Sequence, residues 1–185
     1  PIGSWTLDAE WKMKIVELVR RARPDIVIVQ DPEHAQHDLD PDRRLIALLY
    51  TEALALAGRD WQVDACGGHP PHPVRAIYYM TPEHPNCVIE ISRTFARKQQ
   101  ALAALGSQMA FSADMIEAQA APDLLRLVVP EYDALRADRV ALGLALHRQF
   151  DMALALANGL AGHSGAVMGE AYRREGPFVL DRLLV

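Results

Sequence analysis

Basic charge, cysteine and long apolar runs are what this sequence has least of. Nineteen Lys and Arg face 24 Asp and Glu, a net charge of −5. No electrostatic footprint for nucleic acid follows from that balance. Cysteine occurs twice, at Cys66 and Cys87. Neither belongs to a CxxC pair, which excludes a cysteine zinc site and a thioredoxin-type redox motif. Spacing alone leaves one disulfide between them open. Cysteine this sparse fits a reducing cytoplasm, the expected location. No apolar run reaches the roughly 18–20 uninterrupted residues of a membrane helix, so no membrane span is expected. A signal-peptide pattern, internal repeats and low-complexity tracts are also missing. The chain opens on Pro1 rather than Met and enters an amphipathic pattern almost at once. This is read as a sign of sequence upstream.

What is present suits one α/β domain over 1–185. Half of the 185 residues are hydrophobic and 23% are charged, ordinary proportions for a globular chain. Trp11 to Arg23 reads as a helix with Met13, Val16, Leu18 and Val19 mostly on one face. Arginines suit its last turn and Pro24 stops it. Ile26-Val27-Ile28-Val29 is a β-branched run without alternation, expected as a parallel strand buried on both faces. A polar loop to Asp42 and a second helix, Arg43 to Gly58, follow. Asp60 to Val74 reads as loop, Ala76–Met80 and Cys87–Ile91 as strands. Ser92 or Thr94 is placed to cap a helix reaching about Leu105. A short helix within 110–122, a helical turn in 130–138 and a long helix over 139–158 come next. The tail reads as strand, turn and short terminal segment. This order predicts a Rossmann-like three-layer sandwich with a mostly parallel sheet. Ligands in such sheets bind beyond the C-terminal strand ends, so the loop after Val29 is the first place to look.

That loop holds His34 and His37, an i, i+3 pair among Asp31, Glu33, Asp38 and Asp40. Imidazoles with supporting carboxylates can ligate a metal, although a solvated polar loop explains the same residues. Arg43 and Arg44 could grip a substrate carboxylate or phosphate, or simply coat a first helical turn. His69 and His72 lie in HPPHP, where the prolines suggest an extended loop shaping a substrate entrance. His84 sits in a turn, and His147 lies within an apolar helix. The helix over 139–158 suits core packing or a subunit interface.

Three blocks carry a family resemblance. RRARPDIVIVQDPE spans the first helix and strand. HPPHPVRAIYYMTPEHPNCVIEISRTFARKQQALAALGSQ covers His69 to Gln108. GEAYRREGPFVLDRLL closes the chain. In this order they resemble the PIG-L/LmbE family of zinc-dependent N-acetylglucosaminyl deacetylase-like proteins.

The resemblance implies a zinc-dependent hydrolase removing an acyl group from an N-acyl amino sugar or glycoconjugate, often as a homo-oligomer. Three protein ligands would leave a position open for water. Two would come from an N-terminal PHPDD-type motif that has no counterpart in this sequence. The third would come from an HPDH motif. Placed against the helix without a gap, that motif falls on Asp40-Pro41-Asp42-Arg43, and a second placement uses His34-Ala35-Gln36-His37. The implied site is therefore His34 and Asp40 as catalytic groups, His37 as zinc ligand, and Arg43, Arg44, His72 and His84 as substrate contacts. Glu90 takes the place of the Asp in the family's "DIS", Lys98 and Gln108 match recurrent positions, and Met168 stands where many relatives have Tyr. The loss of motif residues also leaves open a non-catalytic relative with a binding or assembly role.

Overall fold

A computed structural model describes residue 3, residues 6–159, residue 162 and residues 166–176. The turn and terminal segment expected beyond residue 176 lie outside the described residues. Two compact units emerge. One comprises the residues up to Cys87 with those from Ala171 onward, and the other is Val88–Glu170.

The first unit begins with α1 (Ala9–Ala22). Asp8 caps it by accepting from the Trp11 N–H at 3.0 Å, and Arg23 ends it in the left-handed region at φ 49°. Strand β1 (Ile26–Gln30) follows. The expected polar loop contains a four-residue helix, α2 (Pro32–Ala35), nucleated by Asp31 as N-cap with Pro32 in its first turn. Helix α3 (Pro41–Ala57) starts two residues earlier than the sequence suggests, because Asp40 caps it ahead of Pro41. After a 3₁₀ turn at Asp64–Cys66 comes β2 (Ala76–Met80). Val16, Val19, Ala53, Leu54, Ala57 and Cys66 form the core, with Val27 and Ile77 packed against it. Fully buried Arg20 donates to the carbonyls of Ala57, Leu56, Arg59 and Trp61, satisfying the end of α3. Both cysteines are free thiols.

Two expectations for the sheet are corrected. It is mixed rather than mostly parallel. The strand order is β1-β2-β4-β3, with β3 at Cys87–Glu90 and β4 at Gly169–Glu175. β1 and β2 are parallel, Ile26 opposite Ala76 and Gln30 opposite Met80. β2 and β4 are antiparallel, Ile77 opposite Glu175 and Met80 opposite Tyr172. The first pair is joined by a long helical crossover, which parallel pairing requires. β4 is polar, and antiparallel strands tolerate such sequence. Nor is β1 buried on both faces. Val29 is 7% exposed, whereas Ile26 and Ile28 are 55% and 57% exposed. Among the described residues of this unit, helices cover one face of β1, so its apolar run does not report a second covering layer.

The second unit is helical. It holds α4 (Phe95–Ala103), α5 (Gly106–Gln119), α6 (Pro122–Val128), α7 (Tyr132–Leu135) and α8 (Arg139–Ala157). α5 is longer than expected and α6 was not foreseen. Ser112, Asp114, Glu117, Gln119, Asp123 and Arg126 are scattered among the apolar residues of 110–128, so no clean apolar stripe marks the helix boundaries. Ala113, Leu125, Val129, Tyr132, Leu142, Ala145 and Leu146 form the core. α8 is long and apolar enough to cross a bilayer by length and composition alone. It packs against α5 and buries Leu142, Gly143, Ala145, Leu146, Asp151 and Ala155. Backbones touch at the α5–α8 crossing: a Cβ on Gly143 would lie 2.3 Å from the Met109 carbonyl oxygen.

Candidate functional site

Parallel β1 and β2 end side by side, and the loops leaving them are tied together at once. The Asp31 N–H donates to the Met80 carbonyl at 3.2 Å, and Gln30 Nε2 donates to Thr81 Oγ1 at 2.9 Å. Thr81 holds φ 50°, a conformation that β-branched residues avoid and that accumulates beside working loops. Asp31 is fully buried. Its Oδ2 accepts from the backbone N–H groups of Glu83 (3.1 Å) and His34 (3.4 Å). Its Oδ1 accepts from Arg173 Nη2 at 2.8 Å, while Arg173 Nη1 donates to Glu33 Oε2 at 2.7 Å. The guanidinium carbon of Arg173 stands 5.0 Å from the centroid of the Tyr79 ring. One arginine on β4 thus fixes α2, and Asp31 joins it to the loop after β2. Burial pushes the Tyr79 hydroxyl above its usual pKa, opposed by hydrogen bonding with Thr51 and the charge of Arg173.

His34 and His37 ride on this anchored turn. His34 Nδ1 is 2.9 Å from Glu83 Oε1, which leaves Nε2 as the nitrogen for proton exchange with a bound molecule. His37 is exposed, its N–H donating to the His34 carbonyl at 3.1 Å. His84 is exposed in the loop that carries Glu83. Asp40 works as the cap of α3, accepting from the Asp42 N–H at 3.0 Å. Arg43 donates to Asp38 Oδ2 at 2.9 Å and its Nε lies 3.6 Å from Asp40 Oδ2. The Asp40 N–H, with Arg43, holds the Asp38 carboxyl below its ordinary range. Arg44 is exposed on the same helical turn. Six of the seven expected site residues therefore gather at the C-terminal ends of β1 and β2. His72 does not. Its Nε2 donates to the Pro24 carbonyl at 2.9 Å and its N–H to the Ala57 carbonyl, at the opposite end of the strands.

The donor set does not fit a complete zinc centre. Among the described residues no three His, Cys, Asp or Glu side chains come together as a ligand group. Asp31 is committed to Arg173 and two N–H groups, His34 to Glu83 and Asp40 to its helix. Zinc demands three or four converging donors.

The second unit holds a separate polar cluster. Lys98 Nζ bonds Asp151 Oδ1 at 2.9 Å and Glu170 Oε1 at 2.6 Å. Burial opposes the ammonium charge, but the two carboxylates outweigh it and raise the pKa above its usual 10.5. Asp151 is 5% exposed and its Oδ2 has no hydrogen-bond partner among the described residues. Burial pushes the His147 imidazole down. Ser92 and Thr94 do not cap α4 through their side chains. Ser92 Oγ accepts from the N–H groups of Val167 and Met168, and Thr94 Oγ1 donates to the Ile91 carbonyl. The Ser92 side chain, together with the Ser92 N–H that donates to Glu90 Oε1 at 2.6 Å, holds the Glu90 carboxyl low. Sequence reasoning missed Arg173 and the role of Lys98. Their partners are far away in the chain, so no local spacing signals them.

No protein-family profile matches the chain. In sequence it is similar to the diacetylchitobiose deacetylase of Thermococcus kodakarensis, 29% identical over 137 residues, 73% of this chain and 49% of that protein. The chain thus spans about half the length of the curated relative it matches. Its fold is shared with three solved structures. The N,N'-diacetylchitobiose deacetylase of Pyrococcus horikoshii gives a TM-score of 0.57 at 16% identity, covering 94% of this chain and 54% of that one. The 4-carboxy-2-hydroxymuconate hydratase of Pseudomonas putida gives 0.59 at 15%, covering 98% and 64%. A conserved protein of Thermus thermophilus gives 0.57 at 20%, covering 100% and 66%. At these identities the structures establish the α/β fold alone.

Proposed function

We propose that the chain is of the PIG-L/LmbE type and serves a deacetylase-like hydrolase acting on an N-acyl amino sugar or related amide. The observation that carries this reading is the 29% identity with a diacetylchitobiose deacetylase over 73% of the chain. Fold likeness does not choose the reaction, because a hydratase shares it. In amide hydrolysis water adds its oxygen to the acyl carbon, the C–N bond breaks and a proton goes to the leaving nitrogen. His34, oriented by Glu83, is the group placed to move that proton. Arg43, Arg44 and His84 are the side chains at the same strand ends for holding the sugar. Zinc belongs to the proposal with His37 as one ligand, the remaining donors being ones that the described residues do not bring to it.

The test is acetate release from N,N'-diacetylchitobiose and N-acetylglucosamine with zinc supplied, beside elemental analysis of the purified protein. The expected result is hydrolysis that disappears in His34→Ala and a bound zinc that falls in His37→Ala, both variants keeping the native circular dichroism. A folded protein that holds zinc yet releases no acetate from any N-acyl sugar would sink the hydrolase reading. The missing three-donor group favours a second reading, a non-catalytic relative that binds the sugar or assembles with a partner. Sugar binding without zinc or turnover would select it.

A further inference from the structure

We propose that the outer face of α5 is where a second copy of this chain docks, as an antiparallel α5–α5 pair. The helix carries apolar side chains on both sides. Met109 and Ala113 are buried, and Ile116 packs on the core of the helical unit. On the far side Phe111, Met115 and Ala118 recur at i, i+4 and i+7, which sets them on one stripe. Phe111 is 57% and Met115 44% exposed, and Ala118 is exposed with them. A surface helix turns polar residues outward, whereas one that is apolar on opposite sides belongs in an interior or an interface. The stripe lies on the convex surface of a helix, so it offers no enclosure to a small molecule. A second helix fits it.

The charge pattern points to α5 itself as that helix. α5 holds two acids, Asp114 and Glu117, both in its C-terminal half, and no base. Its N-terminal half is uncharged and follows α4, which has Arg97 and Lys98 and no acid. A parallel pair would set Asp114 beside the partner's Asp114. An antiparallel pair in which Phe111 meets the partner's Met115 sets Asp114 opposite the partner's Ser112, and Gln108 opposite the partner's Ala118. Both acids then lie along the N-terminal half of the second helix, the positive end of its dipole. A two-fold axis makes each contact twice, so Phe111 and Met115 form two aromatic–thioether contacts across it. The 14 residues of α5 give a face about 21 Å long and about 10 Å wide. That is less than the roughly 800 Å² per partner of a standard interface, so the pairing is weak and grows with protein concentration.

The experiment is sedimentation equilibrium of the 185-residue chain from about 1 µM to about 1 mM, the span of weak interfaces. The mass should rise from 20.5 kDa towards twice that value and stop there. Phe111→Glu and Met115→Lys, each with native circular dichroism, should stay monomeric where the parent pairs. Mixed in equal amounts, the two variants should pair again, because opposite charges meet across the axis while the other aromatic–thioether contact is intact. Leu18→Glu, the same kind of change on an exposed leucine of α1, should leave the pairing as it is. A parent that stays monomeric throughout would overturn the proposal and give the stripe to a different partner. Undiminished pairing in both variants, a mixture that fails to pair, or a mass that climbs past two chains would overturn it as well. None of these readouts depends on hydrolysis.

Discussion

Two ion clusters, one in each unit, use different cations for different work. On β4, Arg173 spreads its planar fork across Asp31 and Glu33, residues two apart on one short turn. In the helical unit, Lys98 draws Asp151 of α8 and Glu170 of β4 onto a single nitrogen. A fork fixes direction as well as distance, which suits a loop whose histidines must be aimed. A compact ammonium fixes distance only, which suits tying separate elements together. Their surroundings differ too. Asp31 is fully buried with every contact satisfied, including two backbone N–H groups, whereas buried Asp151 keeps one oxygen without a partner among the described residues. In the first cluster it is the cation that keeps such an atom, Arg173 Nε, likewise buried without a hydrogen-bond partner among the described residues.

The comparison breaks most visibly at Lys98. Lys98→Met strands Asp151 in the helical unit, and a loss of roughly 3 kcal/mol in urea unfolding is expected. Adding Asp151→Leu should restore much of it, and a double variant no more stable than Lys98→Met would show that the ion pair is not the cause. Gly143→Ala probes the same unit through packing alone. The added Cβ meets the Met109 carbonyl, so α5 and α8 must separate at a cost of about 2–3 kcal/mol.

In the first unit Asp31→Ala leaves two N–H groups and one arm of Arg173 without their acceptor, for about 2 kcal/mol. Arg173→Lys sharpens the fork argument. One of its two carboxylate bonds is lost, costing about 1 kcal/mol, but hydrolysis should fall more than stability does because α2 is no longer aimed. Acetate release tracking the unfolding free energy alone would remove the distinction.

The smallest effects lie at opposite ends of the pH scale. The folded pKa of Lys98 is raised, so its stabilisation is complete below 10.5 and disappears as pH climbs through the folded value. The folded pKa of Asp38 is lowered, so its contribution is present above 3.8 and lost as pH falls through the folded value. Thermal unfolding followed against pH should lose its alkaline step in Lys98→Met and part of its acid step in Arg43→Leu.

Much of the architecture was legible in local sequence. Pro24, Asp8 and the apolar stripe from Met13 to Val19 specify α1, and the stretch Ala76–Met80 specifies β2, because caps, breakers and periodicity act within a few residues. The loop after β1 could be singled out as the place for His34, His37, Asp40 and Arg43 on the rule for parallel strand ends, and the structure brings them there with Arg44 and His84. His72 was misread for lack of a partner in view. Pro24, which holds its ring, is 48 residues away. The run Ile26–Val29 suggested burial on both faces, since β-branched composition reports strand propensity and not what covers each face.

The sequence by itself determined the presence of α1, β1 and β2 and the clustering of histidines and acids after the first strand. These are short-range matters of backbone preference, capping and spacing. Only tertiary structure decided the reversed direction of β4, the seating of Arg173 on Asp31 and Glu33, and the meeting of Lys98 with Asp151 and Glu170. Those partners lie 140 and 142 residues apart in one cluster and 53 in the pair of Lys98 with Asp151. Ion pairing depends on distance in space and on burial, neither of which is written in a local pattern.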